Sequence, residues 1–331
     1  MKIVKKVFLT VLFPLLMFVA MLVITSNNPA CIINGRNIFL GADLMRNLIL
    51  KTCMTVCVAL AIWLQMKHGR FDFSIGAIMI LTAIIAGNIG YNARSPFLTL
   101  VLCAICGVGL SVIASLLYVL GRLPIIISSI GITLLYESMT YLLFDAQGMA
   151  KFYPDPAMNV FGRMPLIFIP AILAIACFVF YDKLSVEGRK GKILSNNQGA
   201  GVNSGLNEKK NVIKSYVYSG FIVGMGALIY LSQNAVSTQS GLATTGVMFS
   251  YIASVFMGMF VGMASNDVIG ILMSSIAVSI MAYGLNCMNL GAGGWQNIIF
   301  GVFVLCFYGL TARLDVISAL LAKLRKDAAK A

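Results

Sequence analysis

Apolar residues fill this chain in long unbroken runs, and polar residues are confined to the stretches between them. Neither the two-residue alternation of a half-buried strand nor the narrow stripe of a surface helix accounts for runs of this length. A hydrocarbon layer about 30 Å thick is crossed by roughly 20 apolar residues in a helix. Runs of that size predict ten spans, near 7–25, 47–66, 73–91, 96–119, 124–144, 165–181, 212–232, 247–264, 267–286 and 294–312. The eighth and ninth are joined only by "MASND" (263–267), which predicts a helical hairpin. The fold expected is therefore an all-α polytopic integral membrane protein, with one transmembrane domain over 1–331.

Composition agrees with the pattern. Hydrophobic residues make up 60% and charged residues 11% of the 331, and the mean hydropathy is +0.93, far above the range of soluble domains. Charge then sets the orientation, because Lys and Arg collect in cytoplasmic loops. With the N-terminus in the cytoplasm, eighteen of the 24 Lys and Arg fall inside and only Arg36, Arg46, Arg94, Lys151 and Arg163 outside, with Lys51 near the outer end of the second span. Ten spans then put both termini in the cytoplasm, with a tail at 313–331. The net charge of +13 is spread over these loops and not interleaved with aromatics on one face, so it does not point to nucleic acid. Lys2, Lys5 and Lys6 precede an apolar run of signal-peptide character, but no A-x-A site closes it, and it is expected to stay as the first helix.

Motifs for covalent chemistry are missing. His68 is the single histidine, which excludes an H-E-x-x-H zinc site, and there is no G-x-S-x-G. The eight cysteines include Cys53, Cys57, Cys103 and Cys106 inside apolar runs, where cysteine packs as a small hydrophobe. No metal site and no enzymatic activity are expected.

Polar residues within the spans carry the remaining information. Ser129, Thr133, Glu137, Thr140 and Tyr141 follow steps of three and four and share one face of the fifth span. Such a stripe either lines a solute path, with Glu137 as a gate or orienting group, or hydrogen-bonds to neighbouring helices. Asp72 and Ser74, in "HGRFDFSIGA" (68–77), stand where either can cap the third helix, and Asp72 can alternatively pair with Lys67 or Arg70. Lys51 is expected to reach the outer headgroups. Gly220 with Gly224, and Gly258 with Gly262, have the spacing that lets helices approach closely.

The one long cytoplasmic connection, about 182–211, contains "GKILSNNQGAGVNSGLNEKK" (191–210), which has little to bury. It reads as a flexible linker or as a docking element, since Asn and Gly start and stop short helices well and small residues admit a partner. No phosphate-binding loop is present. Energy for transport must come from an ion gradient, which leaves several ionisable groups at membrane depth, or from another subunit. Only Glu137 clearly lies at such depth, which favours the second.

Four stretches resemble the permease subunit of bacterial ABC importers of the ribose, galactose and simple-sugar type, over roughly 50–315. "GRFDFSIGA" (69–77) is similar to that family's G-G-I-D-L-S-V-G-S, with Gly69, Asp72, Ser74 and Gly76 matching and Arg70 departing. "GRLPIIISSIGITLLYESMTYLLF" (121–144) is similar to a segment in which a Pro-containing start leads into an apolar helix. "NNQGAGVNSGLN" (196–207) is similar to N-N-x-x-A-A-x-x-S-G-I-N, with Asn196, Asn197, Ala200, Ser204, Gly205 and Asn207 in register and Leu206 replacing Ile. The stretch 244–270 keeps Gly246, Ile252, Ala253, Gly258 and Gly270, but the family's E-L-D has become Met248, Phe249 and Ser250.

The resemblance implies a multi-pass protein of the bacterial inner or plasma membrane. It implies a small polar solute, a simple sugar first and nucleosides next, moved by alternating access, with Ser129, Thr133, Glu137, Thr140 and Ser250 as a tentative pathway. Residues 196–206 would couple to two cytoplasmic ATPases that use ATP and Mg, none of it bound by this chain. A second permease copy or paralogue and an external solute-binding protein would complete the complex. An ion-coupled secondary transporter with Glu137 as its cation site, and a membrane scaffold, are the alternatives.

Overall fold

The computed structural model describes residues 2–33, 36–263, 266–290, 298–303, 305–306 and 309. Eleven α-helices are found among them: α1 (Lys2–Ser26), α2 (Leu44–Lys67), α3 (Ile75–Asn92), α4 (Pro96–Gly121), α5 (Ile125–Leu142), α6 (Phe168–Val179), α7 (Val186–Asn196), α8 (Gln198–Asn203), α9 (Glu208–Gln233), α10 (Ala243–Gly262) and α11 (Asp267–Cys287). A two-residue antiparallel ribbon, Ile32 opposite Asn37, lies between α1 and α2.

Seven helices, α2–α5 and α9–α11, are long and apolar enough to cross a membrane, where the hydropathy pattern predicts ten spans. Three of the ten account for the difference. The first is formed as α1 (Lys2–Ser26), of which the apolar part Thr10–Ser26 is described throughout. The sixth does not end in a loop. After Val179 it continues as a π-helical turn, Phe180–Leu184, and bends by 68° into α7, and this bent pair counts as one further span at most. Ser185 fixes the bend, its extended backbone breaking the helix while its Oγ accepts from Gly188 N–H at 3.0 Å. The tenth span, 294–312, and the tail at 313–331 lie largely or wholly outside the described residues.

α9 is the centre of the bundle, packed by α2, α3, α4 and α6. Its contact with α4 is close because both helices present glycine. A Cβ on Gly224 would stand 2.3 Å from the Cys103 carbonyl oxygen, and one on Gly107 would stand 2.5 Å from that of Gly220. The predicted hairpin is present: α10 and α11 pack along their length, Gly270 sits against Gly258 and Gly262, and Ser274 Oγ donates to the Ser254 carbonyl at 2.6 Å. Lipid tails are as apolar as these side chains, so close backbone approach and buried hydrogen bonds hold the helices together, with little hydrophobic drive.

Candidate functional site

A cavity of about 870 Å³ opens beside the first turns of α2, walled by α2, α9, α10, α11 and the 153–163 segment that crosses between α5 and α6. Asp43, just before α2, and Arg46 line it, then Asn47, Lys51 and Thr55, which the four-residue spacing places on one face. Arg163 is also in the lining. Two crossings fix the wall: Gln233 Nε2 donates to the Leu50 carbonyl and Asn159 Nδ2 donates to the Ser232 carbonyl, both at 2.9 Å. Of the pathway residues expected from sequence, only Ser250 lines this cavity.

The α5 stripe lies elsewhere. Ser129, Thr133, Glu137 and Thr140 are buried, whereas Tyr141 is exposed. Ser129 and Thr133 turn their hydroxyls back onto the carbonyls of Ile126 and Ser129. Glu137, 1% exposed, gives both its oxygens to the start of α10. Oε2 accepts from Leu242 N–H at 2.8 Å, and Oε1 accepts from Thr244 N–H at 2.8 Å and Thr244 Oγ1 at 2.7 Å. Leu242, the residue before α10, has no side chain with which to cap. The carboxylate of α5 therefore satisfies the orphan donors of another helix and sits at the favourable end of its dipole. Thr140 Oγ1 accepts from Gln239 N–H at 3.1 Å and ties down the strap that leads into α10.

The motif at the start of α3 converges on the same point. Gly69 has φ +74, a left-handed turn that favours glycine. Asp72 Oδ1 accepts from both the N–H and the Oγ of Ser74, at 2.8 and 2.7 Å, so Ser74 spends its hydroxyl on Asp72 and leaves the helix uncapped by side chains. Asp72 does not pair with Lys67 or Arg70. Arg70 donates to Gln65 Oε1 and Ser215 Oγ, and Lys67 binds two other acids. A Cβ on Gly76 would stand 2.2 Å from the Thr244 carbonyl oxygen, so glycine here permits the approach of the turn that Glu137 caps.

At the far end of α2, Lys67 bridges Asp182 Oδ1, at 2.7 Å, and Asp267 Oδ2, joining α2 to the π-turn and to the first residue of α11. Lys192 on α7 binds the same Asp182 at 2.9 Å, and Lys214 on α9 binds Glu187 at 2.9 Å. The Lys214 hydrogen bond, followed by those of Asn211 and Lys190, holds the Glu187 carboxyl below its ordinary range. His68 is wedged under α7, where a Cβ on Gly191 would stand 2.2 Å from its Cδ2, and its ring meets Tyr181 edge-on. Burial first, and then the charge of Arg70, push its pKa down to about 4.

The 191–210 stretch is ordered as two short helices. Asn197 Oδ1 accepts from Ala200 N–H and Asn207 Oδ1 from Lys210 N–H, both at 3.0 Å, and Gly205 ends α8 at φ +87. Gly188, Gly191 and Gly201 are small because Tyr181, His68 and Leu194 of this chain press on them. Asn196, Asn197, Ala200, Ser204 and Gly205 are exposed, Leu206 is half-buried, and Ile193 and Val202 add exposed apolar side chains.

The family of branched-chain amino acid transport system permease components matches residues 44–308. The chain belongs to that family. This permease is similar to the ribose import permease protein RbsC of Haemophilus influenzae, 22% identical over 267 residues that cover 77% of this chain and 80% of the relative. It is similar to RbsC of Bacillus subtilis, at 21% over 87% and 88% of the two chains. A third relative is the D-allose transport system permease protein AlsC of Escherichia coli K12, at 20% over 82% and 84%. No solved structure matches. The permease is a multi-pass protein of the bacterial inner membrane.

Proposed function

We propose that this chain is the membrane-spanning subunit of an ATP-driven importer for a small polar solute of the sugar type, as the names of its ribose and allose relatives suggest. Ten spans with both termini in the cytoplasm place α7 and α8 on the cytoplasmic face, and there they receive an ATPase. Two such permeases, or this chain and a paralogue, form the path with two ATPases and an external binding protein, and the path opens alternately to either side. ATP hydrolysis belongs to the partner.

The observation that carries this reading is the surface of α7–α8. Residues 195–200 and 202–205 are all exposed, with the apolar Val202 among them and the exposed apolar Ile193 just before. Yet the pair is held rigidly from below by His68, Lys192–Asp182 and Lys214–Glu187. An exposed surface of small and polar residues carrying two apolar side chains, on a fixed base, suits transmission of force from a partner, whereas a linker needs no fixed base.

Co-purification with the ATPase subunit tests the reading. Ile193→Asp and Val202→Asp are expected to reduce ATPase capture at least tenfold with thermal unfolding unchanged. Gly199→Arg, at an exposed site where a Cβ meets only Asn197 Oδ1 at an ordinary 3.7 Å, is a second variant independent of apolar packing. Unchanged capture in all three sinks the assignment of α7–α8 as the docking element.

A further inference from the structure

The cavity beside α2 has an unbalanced set of charges. Arg46, Lys51 and Arg163 line it against the single acid Asp43, and none of the ion pairs among the described residues uses any of the four. Among the described residues, most other acids are committed elsewhere. Of the eleven Asp and Glu, Asp182, Glu187 and Asp267 are committed at the far end of α2, Glu137 to α10, Asp72 to Ser74 and Asp155 to Arg94.

Arg46 and Arg163 are exposed, whereas Lys51 is half-buried one turn above the buried Thr55. An ammonium held in a half-buried wall is costly unless an anion meets it, and a cleft lined mostly by one sign of charge focuses the field of its cations into the opening. Guanidinium groups match carboxylate and phosphate in shape as well as charge. Ser250, Tyr251 and Ser279 are also among the lining residues, and the volume is that of a small-molecule site.

We propose that the solute accepted by this cavity is a small hydroxylated anion, bearing a carboxylate or a phosphate bound by Lys51 with Arg46 and Arg163 at the mouth, and that a neutral sugar binds poorly. This rests on the reading of the chain as an importer permease and narrows its solute class.

The test uses the full chain in nanodiscs of zwitterionic phosphatidylcholine, with thermal unfolding followed against gluconate, ribose 5-phosphate and ribose at matched ionic strength. At least one anion is expected to protect at a concentration ten or more times lower than ribose. Lys51→Gln is expected to raise that concentration at least fivefold, and Arg163→Gln serves as a second variant should the first fail to fold. Equal protection by ribose, or an anion response unchanged in both variants, overturns the proposal. Anionic phosphatidylglycerol that co-purifies with the wild type but not with Lys51→Gln, and abolishes the response to both soluble anions, assigns the cations to lipid headgroups and also overturns it. The ATPase-capture experiment uses no solute and this one no ATPase, so failure of either is told apart from failure of the other.

Discussion

The two ends of α2, about 36 Å apart along its axis, treat positive charge in opposite ways. At one end Lys67 lies between Asp182 and Asp267, and Lys192 shares the first of these acids. At the other, Lys51 and its neighbours Arg46 and Arg163 face a cavity whose one lining acid, Asp43, forms no ion pair with them among the described residues. The first arrangement is finished within the chain and makes a stiff junction of α2, α7 and α11. The second leaves its charge unmet. A side chain's charge alone distinguishes nothing here. What separates structure from binding is whether the fold supplies the counter-ion.

The contrast can be broken at either end, and the paired end is expected to respond most. Lys67→Met leaves Asp182, which is 5% exposed, short of a partner and frees Asp267, and it is expected to cost about 3 kcal/mol of unfolding stability in detergent. A loss below that of an ordinary surface pair would mean that the junction is not rigid. Glu137→Gln should cost nearly as much, about 2 kcal/mol, because an amide nitrogen must then face a backbone N–H of α10. If that variant is stable but loses ion-driven uptake in liposomes holding this chain alone, the importer reading fails.

Acidification probes the paired end without mutation. His68 has a folded-state pKa near 4 against an ordinary 6.5, so the unfolded chain takes up the proton first. Stability should be whole above pH 6.5, fall by about 2 kcal/mol at pH 5, and go on falling until pH passes 4. His68→Phe should flatten that slope, as followed by thermal unfolding between pH 7 and 5. The smallest effect is expected at the open end. Lys51→Met removes a cation that has no ion-pair partner among the described residues and should raise stability by about 0.5 kcal/mol or leave it unchanged. A loss comparable to that of Lys67→Met would show that Lys51 is structural and erase the contrast.

Much of the bundle was legible in sequence, since runs of 20 apolar residues admit few other structures, and the α10–α11 hairpin followed from a five-residue connection. The bend at Ser185 was not, because a hydropathy run does not tell whether a helix stops or turns at the membrane surface. The two helices of the 191–210 stretch were half legible: Asn197, Gly205 and Asn207 are boundary residues by chemistry, but Gly188 and Gly191 are small for contacts with Tyr181 and His68 that no local pattern shows. Glu137 stood out as a buried charge, while its partners are backbone N–H groups about 105 residues away in the chain and leave no trace in composition. The cavity draws on six separated stretches. Its one local sign was the four-residue spacing of Asn47, Lys51 and Thr55, and a lone lysine near a helix end reads more simply as reaching for headgroups.

The account's central claim is that the end of α2 with its charges satisfied faces the ATPase and the end with charges unmet faces the solute. Photo-crosslinking in intact cells tests it directly, with a benzophenone amino acid placed at Val202 in one strain and at Arg46 in another. An adduct of the mass of chain plus ATPase is expected from position 202 and not from 46. Its absence at 202, or its appearance at 46, would contradict the account.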